Sequence, residues 1–220
     1  MVRVLVLRPE PGAGATVRKA RALGLDPVAM PLFKIEPVPW EAPDPGRFDG
    51  LLLTSANAVR FSGNQLHEFR GLPAYAVGQA TADAARDAGF DIQSIGEAGV
   101  DRLLGSIEPD LKLLHLCGAD RHESRDARQP ITPVVVYRAI ETQAPDLNAG
   151  GALALIHSPR AGQRFAELAK DRGGISIAAI SAAAARAAGD GWKAIEVADA
   201  PNDDALLALA ARLCNKPDPE

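Results

Sequence analysis

Leu53-Thr54-Ser55 and Ile156-His157-Ser158 each close a short apolar run, and Ser158 follows Ser55 by 103 positions. At that same offset Val77-Gly78-Gln79-Ala80-Thr81-Ala82 faces Ile180-Ser181-Ala182-Ala183-Ala184-Ala185, and Leu103-Leu104 faces Leu206-Leu207. One residue of slippage near Gly89 and Gly191 keeps the middle in step. No other property of the chain narrows its architecture so far: a repeat this long predicts two similar domains rather than a stack of small units.

Between these echoes, short apolar runs alternate with alanine-rich amphipathic stretches. Strands are predicted at Val2–Leu7, Gly50–Thr54, Ala74–Val77, Asp91–Ser94, Lys112–Leu116 and Val134–Ile140, with a further extended segment over Val28–Val38. Helices are predicted at Gly14–Leu23, Ala56–Phe69, Ala80–Ala88 and Val100–Ile107. Asp120–Pro130 reads as a loop or short helix, and Pro145 with the Asn148-Ala-Gly-Gly run marks a break. The rhythm returns with strands Leu153–Ile156, Ile175–Ile180 and Lys193–Val197 and helices Ala161–Lys170, Ala182–Ala188 and Asp203–Leu213, before a loose tail from Asn215. Strands separated by helices imply βαβ units and parallel sheets, so the expected class is α/β with flavodoxin-like domains.

The repeat covers the chain from about position 50 onward and leaves the first βαβ fragment without a partner in its own half. A sheet of about five strands is usual, and the second half supplies only three. The fragment therefore completes it: domain 1 is expected to be discontinuous, residues 1–37 and 143–220, with residues 38–142 inserted as domain 2. Two extended crossings would form a two-stranded connector, with a cleft between the domains.

Composition removes whole classes of function. The longest stretches without a charged residue fall well short of the roughly 18 needed to cross a bilayer, so no membrane segment is expected. The apolar run at the N-terminus is too short and too early for a signal peptide, which points to the cytoplasm. A net charge of −4 with no basic tail lacks the footprint that a phosphate backbone requires, so nucleic acid is not an expected partner. Cys117 and Cys214 offer neither a disulfide framework nor a thiolate metal site. His67, His115, His122 and His157 include no H-E-x-x-H, so no metal is expected.

The chemical candidates are small hydroxyl residues at strand-to-helix junctions: Thr54, Ser55, Thr81, Ser158 and Ser181. In a parallel sheet these positions lie at the carboxyl edge, beside helix N-termini whose free N–H groups favour anions. Each could equally be a helix cap. Of the arginines, Arg8 just past the first strand is the best placed to meet a carboxylate, with Arg160 second. Gly12-Ala13-Gly14-Ala15-Thr16-Val17 departs from a dinucleotide fingerprint because Val17 stands where the third glycine belongs. No G-x-S-x-G elbow occurs. On these residues alone, a non-catalytic two-domain module closing on a small anion fits as well as an enzyme does.

Several segments together resemble one family. VLVLRPEPGA at the start, FDGLLLTSANAV at 48–59, YAVGQATA at 75–82, VVVYRAIET at 134–142, ALIHSPRAG at 154–162 and AAISAAAARAA at 178–188 are similar, in order and spacing, to uroporphyrinogen-III synthases. The resemblance implies two α/β domains, no cofactor, a monomer, and a linear tetrapyrrole polycarboxylate as substrate. Hydroxymethylbilane would be closed to uroporphyrinogen III with inversion of the last ring and loss of water. The family's tyrosine, which assists departure of the hydroxyl, matches Tyr137. Its substrate-binding positions match Thr54, Ser55, Gly78, Thr81, Ser158 and Ser181, to which the reading above adds Arg8. Two departures stand out: the family often has threonine where this chain has Ala184, and the Asp120–Pro130 loop is shorter than the family's.

Overall fold

The computed structural model describes residues 1–96, 99–120, 124, 127–143 and 150–215. The chain divides into two compact units, Met1–Lys34 with Glu141–Glu220, and Ile35–Ile140.

The first unit begins with β1 (Arg3–Val6), α1 (Gly12–Ala22) and β2 (Asp26–Ala29). The chain enters the second unit within β3 (Phe33–Pro37) and continues through β4 (Gly50–Leu53), α2 (Ala56–Phe61), β5 (Ala74–Val77), α3 (Gln79–Asp87), β6 (Ile92–Gly96), α4 (Val100–Gly105), β7 (Leu113–Gly118) and β8 (Ile131–Glu141). It then completes the first unit with β9 (Leu153–Ile156), α5 (Pro159–Leu168), β10 (Ser176–Ala179), α6 (Ala182–Ala188), β11 (Ala194–Val197) and α7 (Asp203–Asn215).

The first unit's sheet runs β11-β10-β9-β1-β2, all parallel. In chain order this is the 2-1-3-4-5 arrangement of flavodoxin-like folds. The second runs β3-β8-β7-β4-β5-β6, with β4 to β8 parallel. The two sheets are circular permutations of one pattern: β9-β10-β11 repeats β4-β5-β6, and β1-β2 stands where β7-β8 stands. This is the 103-residue echo in three dimensions. Each sheet also has one point where successive connections depart in opposite directions, between β1 and β9 in the first and between β4 and β7 in the second. In open α/β sheets ligands favour the carboxyl ends of the strands flanking such a point.

The inner strands β4 and β9 are apolar and buried on both faces, because helices cover both. In the first unit Val4, Val6, Leu153 and Leu155 pack with α1 and α7 through Val17, Leu206, Leu207 and Leu209, all buried. Gly162 of α5 lies against the backbone of α6, and Phe165 stacks on Trp192 at 5.2 Å. In the second unit Leu51, Leu53, Leu114 and Leu116 meet Ala58, Phe69 and Ala85, while Leu52 and Leu113 meet Leu103 and Leu104 of α4. Each such leucine removed from water is worth about 1.5–3 kcal/mol.

Three local expectations are corrected. The extended segment expected over Val28–Val38 is two strands in two sheets, β2 ending at Ala29 and β3 beginning at Phe33. The helix expected over Ala56–Phe69 stops at Phe61: the Ser62 hydroxyl donates back to the Ala58 carbonyl, Gly63 takes φ 71°, and a 3-10 turn, Asn64–Phe69, follows. Asn215, expected in the tail, is the last residue of α7. Of the Asp120–Pro130 loop, residues 121–123 and 125–126 lie outside the described residues, and the described ones belong to no helix or strand; of the break at Pro145 and Asn148-Ala-Gly-Gly only Gly150 and Gly151 are described, in a turn, and the tail from Lys216 lies wholly outside.

Candidate functional site

In the second unit the end of β4 delivers Thr54 and Ser55. Thr54 Oγ1 lies 3.0 Å from Nε2 of His115, a buried histidine on the adjoining β7. Ser55 is extended, φ −153°, and its Oγ accepts the Asn57 N–H at 3.2 Å, capping α2. Tyr137, in β8 opposite the last residue of β7, shares a hydrogen bond with the Ser55 hydroxyl. Burial pushes its phenol above the ordinary tyrosine value; the Ser55 bond works against this, and the negative charges that Cys117 and Asp120 can carry add to it. The result is an acid that keeps its proton through the neutral range, standing at the junction of β4, β7 and β8.

Gly78 opens α3 with φ 79°, a conformation that glycine adopts freely, and open space surrounds the place a Cβ would take. Its N–H donates to the Gly96 carbonyl at 3.0 Å, and its own carbonyl accepts from the Thr81 and Ala82 N–H groups. Thr81 is buried in the first turn of α3. Its counterpart in the repeat is Ala184, fully buried in α6.

In the first unit Arg8 is already engaged. Its Nη1 lies 3.4 Å from Asp203 Oδ1 and 3.4 Å from Thr16 Oγ1. Thr16 donates to Asp203 at 2.9 Å, and His157 donates from Nε2 to the same Oδ1 at 3.0 Å. Burial alone would raise the Asp203 carboxyl; the hydrogen bonds from His157 and Thr16 and the positive charges of His157 and Arg8 outweigh it and hold the group below its usual value. Burial lowers the His157 imidazole, opposed by Asp203 and reinforced by Arg8. This cluster closes the carboxyl ends of β1 and β9. Nothing in the sequence pattern joins these four residues, and the one local signal is the acidic first turn of α7.

Ser158 caps α5 by accepting the Ala161 N–H at 3.2 Å, and Ser181 caps α6 by accepting the Ala184 N–H at 3.3 Å. Arg160 packs its guanidinium 4.5 Å over the Phe33 ring. The structure thus gathers Thr54, Ser55 and Tyr137 in one neighbourhood, turns Arg8 toward an internal carboxylate, and buries Thr81. Among the described residues no three His, Cys, Asp or Glu side chains are grouped as metal ligands, and no helix is long and apolar enough to cross a membrane.

Comparison with known proteins gives a consistent set of likenesses. The family model described as uroporphyrinogen-III synthase HemD matches residues 14–208. A uroporphyrinogen-III synthase of Chlorobaculum parvum is 31% identical over 119 residues, covering 50% of this chain and 48% of that protein, so the match spans about half the length of that relative. Among solved structures, uroporphyrinogen-III synthetase of Helicobacter pylori superposes with a TM-score of 0.68 at 20% identity, over 97% of this chain and 100% of the other. A mutant uroporphyrinogen III synthase of Thermus thermophilus gives 0.59 at 16% identity, over 98% and 100%. At these identities the structural likeness is one of fold.

Proposed function

This chain belongs to the uroporphyrinogen-III synthase family, and from that premise we propose that it cyclises hydroxymethylbilane to uroporphyrinogen III with inversion of the last ring and loss of water. The observation that carries the proposal is the match to the family model along residues 14–208. What supports a chemical role for the second unit is Tyr137, a phenol kept protonated beside Ser55.

In this reading the Tyr137 proton passes to the departing hydroxyl oxygen as the carbon–oxygen bond breaks. Water leaves, and the ring that carried the hydroxymethyl group becomes an azafulvenium cation. The last ring, at the other end of the chain, attacks the exocyclic carbon of that cation through its substituted carbon; the spiro intermediate then rearranges to the inverted macrocycle, and the proton released on closure returns to the Tyr137 phenolate. A positioned acid of this kind supplies on the order of 10² to 10⁴ in rate. The larger task is conformational, since unguided closure gives the uninverted isomer.

The substrate is a polycarboxylate and the chain is net negative at −4, so attraction must be local. Ser158 and Ser181 each accept from the backbone and each keep an O–H to donate to a carboxylate oxygen, while Ser55 joins the binding set at the head of α2 with its hydroxyl shared with Tyr137. Thr54, Gly78, Thr81 and Arg8 complete the proposed binding set; for Arg8 that role requires sharing its guanidinium with Asp203, and for Thr81 it requires local opening of α3. The same proposal has the protein acting in the cytoplasm as a monomer without a cofactor.

Incubation with freshly made hydroxymethylbilane, followed by separation of the type I and type III isomers, tests the proposal. Enrichment of type III above the spontaneous level is the expected result. An unchanged type I product overturns it.

A further inference from the structure

β7 and β8 fall out of register at one place. Cys117 pairs with Val135, but Gly118 pairs with Tyr137, so Val136 is an extra residue on β8. In a regular strand consecutive side chains point to opposite faces. Here Val136 is fully buried in the layer formed by Leu114 and Leu116, and Tyr137 packs against that same layer. A bulge is the device that lets two consecutive side chains lean to one side, and bulges commonly re-aim a side chain beside a functional site.

The re-aimed ring lies directly over Gly118. A Cβ built on Gly118 would stand 2.7 Å from Tyr137 Cζ, 2.8 Å from Cε2 and 2.9 Å from the hydroxyl oxygen. Gly118 is not among the glycines with positive φ. Its backbone is therefore outside the left-handed region that favours glycine, and the three atoms nearest to an added Cβ all belong to Tyr137. Gly78 is the opposite case, with φ 79° and nothing nearby.

We propose that Gly118 is the positioning residue for Tyr137: its missing side chain, together with the Val136 bulge, lets the phenol lie across the end of β7 and reach Ser55. The catalytic consequence of this placement rests on the role given to Tyr137 above; the placement itself does not.

The test is Gly118→Ala, read three ways. The protein has two tyrosines, so ultraviolet titration of wild type minus Tyr137→Phe isolates the Tyr137 phenol. In Gly118→Ala its midpoint is expected to fall toward about 10, the value of a solvated tyrosine. The melting temperature is expected to drop in Gly118→Ala and to show no such drop when the change is made in a Tyr137→Ala background. The type III turnover number is expected to fall by about 10² to 10⁴ with KM unchanged, and not to fall further when Tyr137→Phe is added. An unmoved titration midpoint, a melting loss of equal size in both backgrounds, or a wild-type turnover number beside a slow Tyr137→Phe would each overturn the proposal. If Tyr137→Phe itself turns over at the wild-type rate, the proton-donor role fails while the titration and melting results still decide the placement.

Discussion

His157 donates from Nε2 to Oδ1 of Asp203 across 3.0 Å, tying the residue after β9 to the first residue of α7. Thr16 and Arg8 reach the same carboxylate, so three side chains, from α1 and from the segments that follow β1 and β9, meet on one acceptor at the start of α7.

The pair makes stability fall on the acid side. Burial first, with Arg8 reinforcing it, lowers the His157 imidazole in the folded protein, whereas in the unfolded chain it titrates near 6.5. Below that pH the unfolded state takes up a proton that the folded state refuses, so the contribution is complete above about 6.5 and is lost as pH drops. Asp203, also held below its usual value, has the same sign and adds a second loss further into acid. Melting temperature followed from pH 8 to pH 5 at constant ionic strength (a range about the ordinary histidine value) is expected to decline on the acid limb, and His157→Gln to flatten that decline.

Removing the acceptor should cost more than removing one donor. Asp203→Ala leaves the Thr16 hydroxyl, His157 Nε2 and one edge of Arg8 without their shared partner, and a loss of about 1–3 kcal/mol is expected. Urea unfolding of Asp203→Ala against Thr16→Val measures the difference, and equal midpoints would contradict it.

Gly162→Ala should separate α5 from α6. A Cβ there would stand 2.8 Å from the Ala184 carbonyl oxygen and 3.1 Å from the Ala188 nitrogen, both backbone atoms that cannot swing away. A loss of about 1–3 kcal/mol is expected. Gly105→Ala is the control: it ends α4 with nothing within 4 Å, and its stability should be unchanged or slightly raised.

Tyr137→Phe removes the proposed proton donor and keeps the ring. The type III turnover number is expected to fall by about 10² to 10⁴ with little change in KM. Because burial raises the phenol, the wild-type rate should persist until pH passes about 10 before the alkaline limb begins. A single-turnover pH profile resolves both.

Ser158→Ala and Ser181→Ala each remove a helix cap and should each lower stability by about 1 kcal/mol. Ser55→Ala should do the same and also raise the Tyr137 phenol further, because the Ser55 bond is what holds it down. Thermal melting and tyrosinate absorbance separate the two effects.

Much of the fold was legible because each strand carries its own evidence. GLLL at β4 and LALI at β9 are uninterrupted apolar runs, and the serine after each is a cap that bonds within three residues of itself. Where expectation failed, the deciding contact was not local in kind. α2 ends because Ser62 turns its hydroxyl onto Ala58 rather than to solvent, a choice that composition does not encode. The Asp203 cluster was invisible for a stronger reason: Arg8 and Asp203 are 195 residues apart, and only the insertion of β1 beside β9 brings them together. The aim of Tyr137 depends on a one-residue slip between β7 and β8, which an apolar run such as VVVY cannot announce.

The split first sheet has a consequence for biogenesis. β9 forms the middle of that sheet, between β1 and β10, yet the ribosome makes β1 and β2 first and must then synthesise every residue through Ile140 before β9 exists. β4 to β8 are contiguous in the chain and can condense while still tethered; the leading βαβ unit must wait, Val4 and Val6 lacking their α7 partners, until the last third of the polypeptide emerges. A nascent chain arrested before β9 should therefore carry a folded middle and a protease-sensitive front.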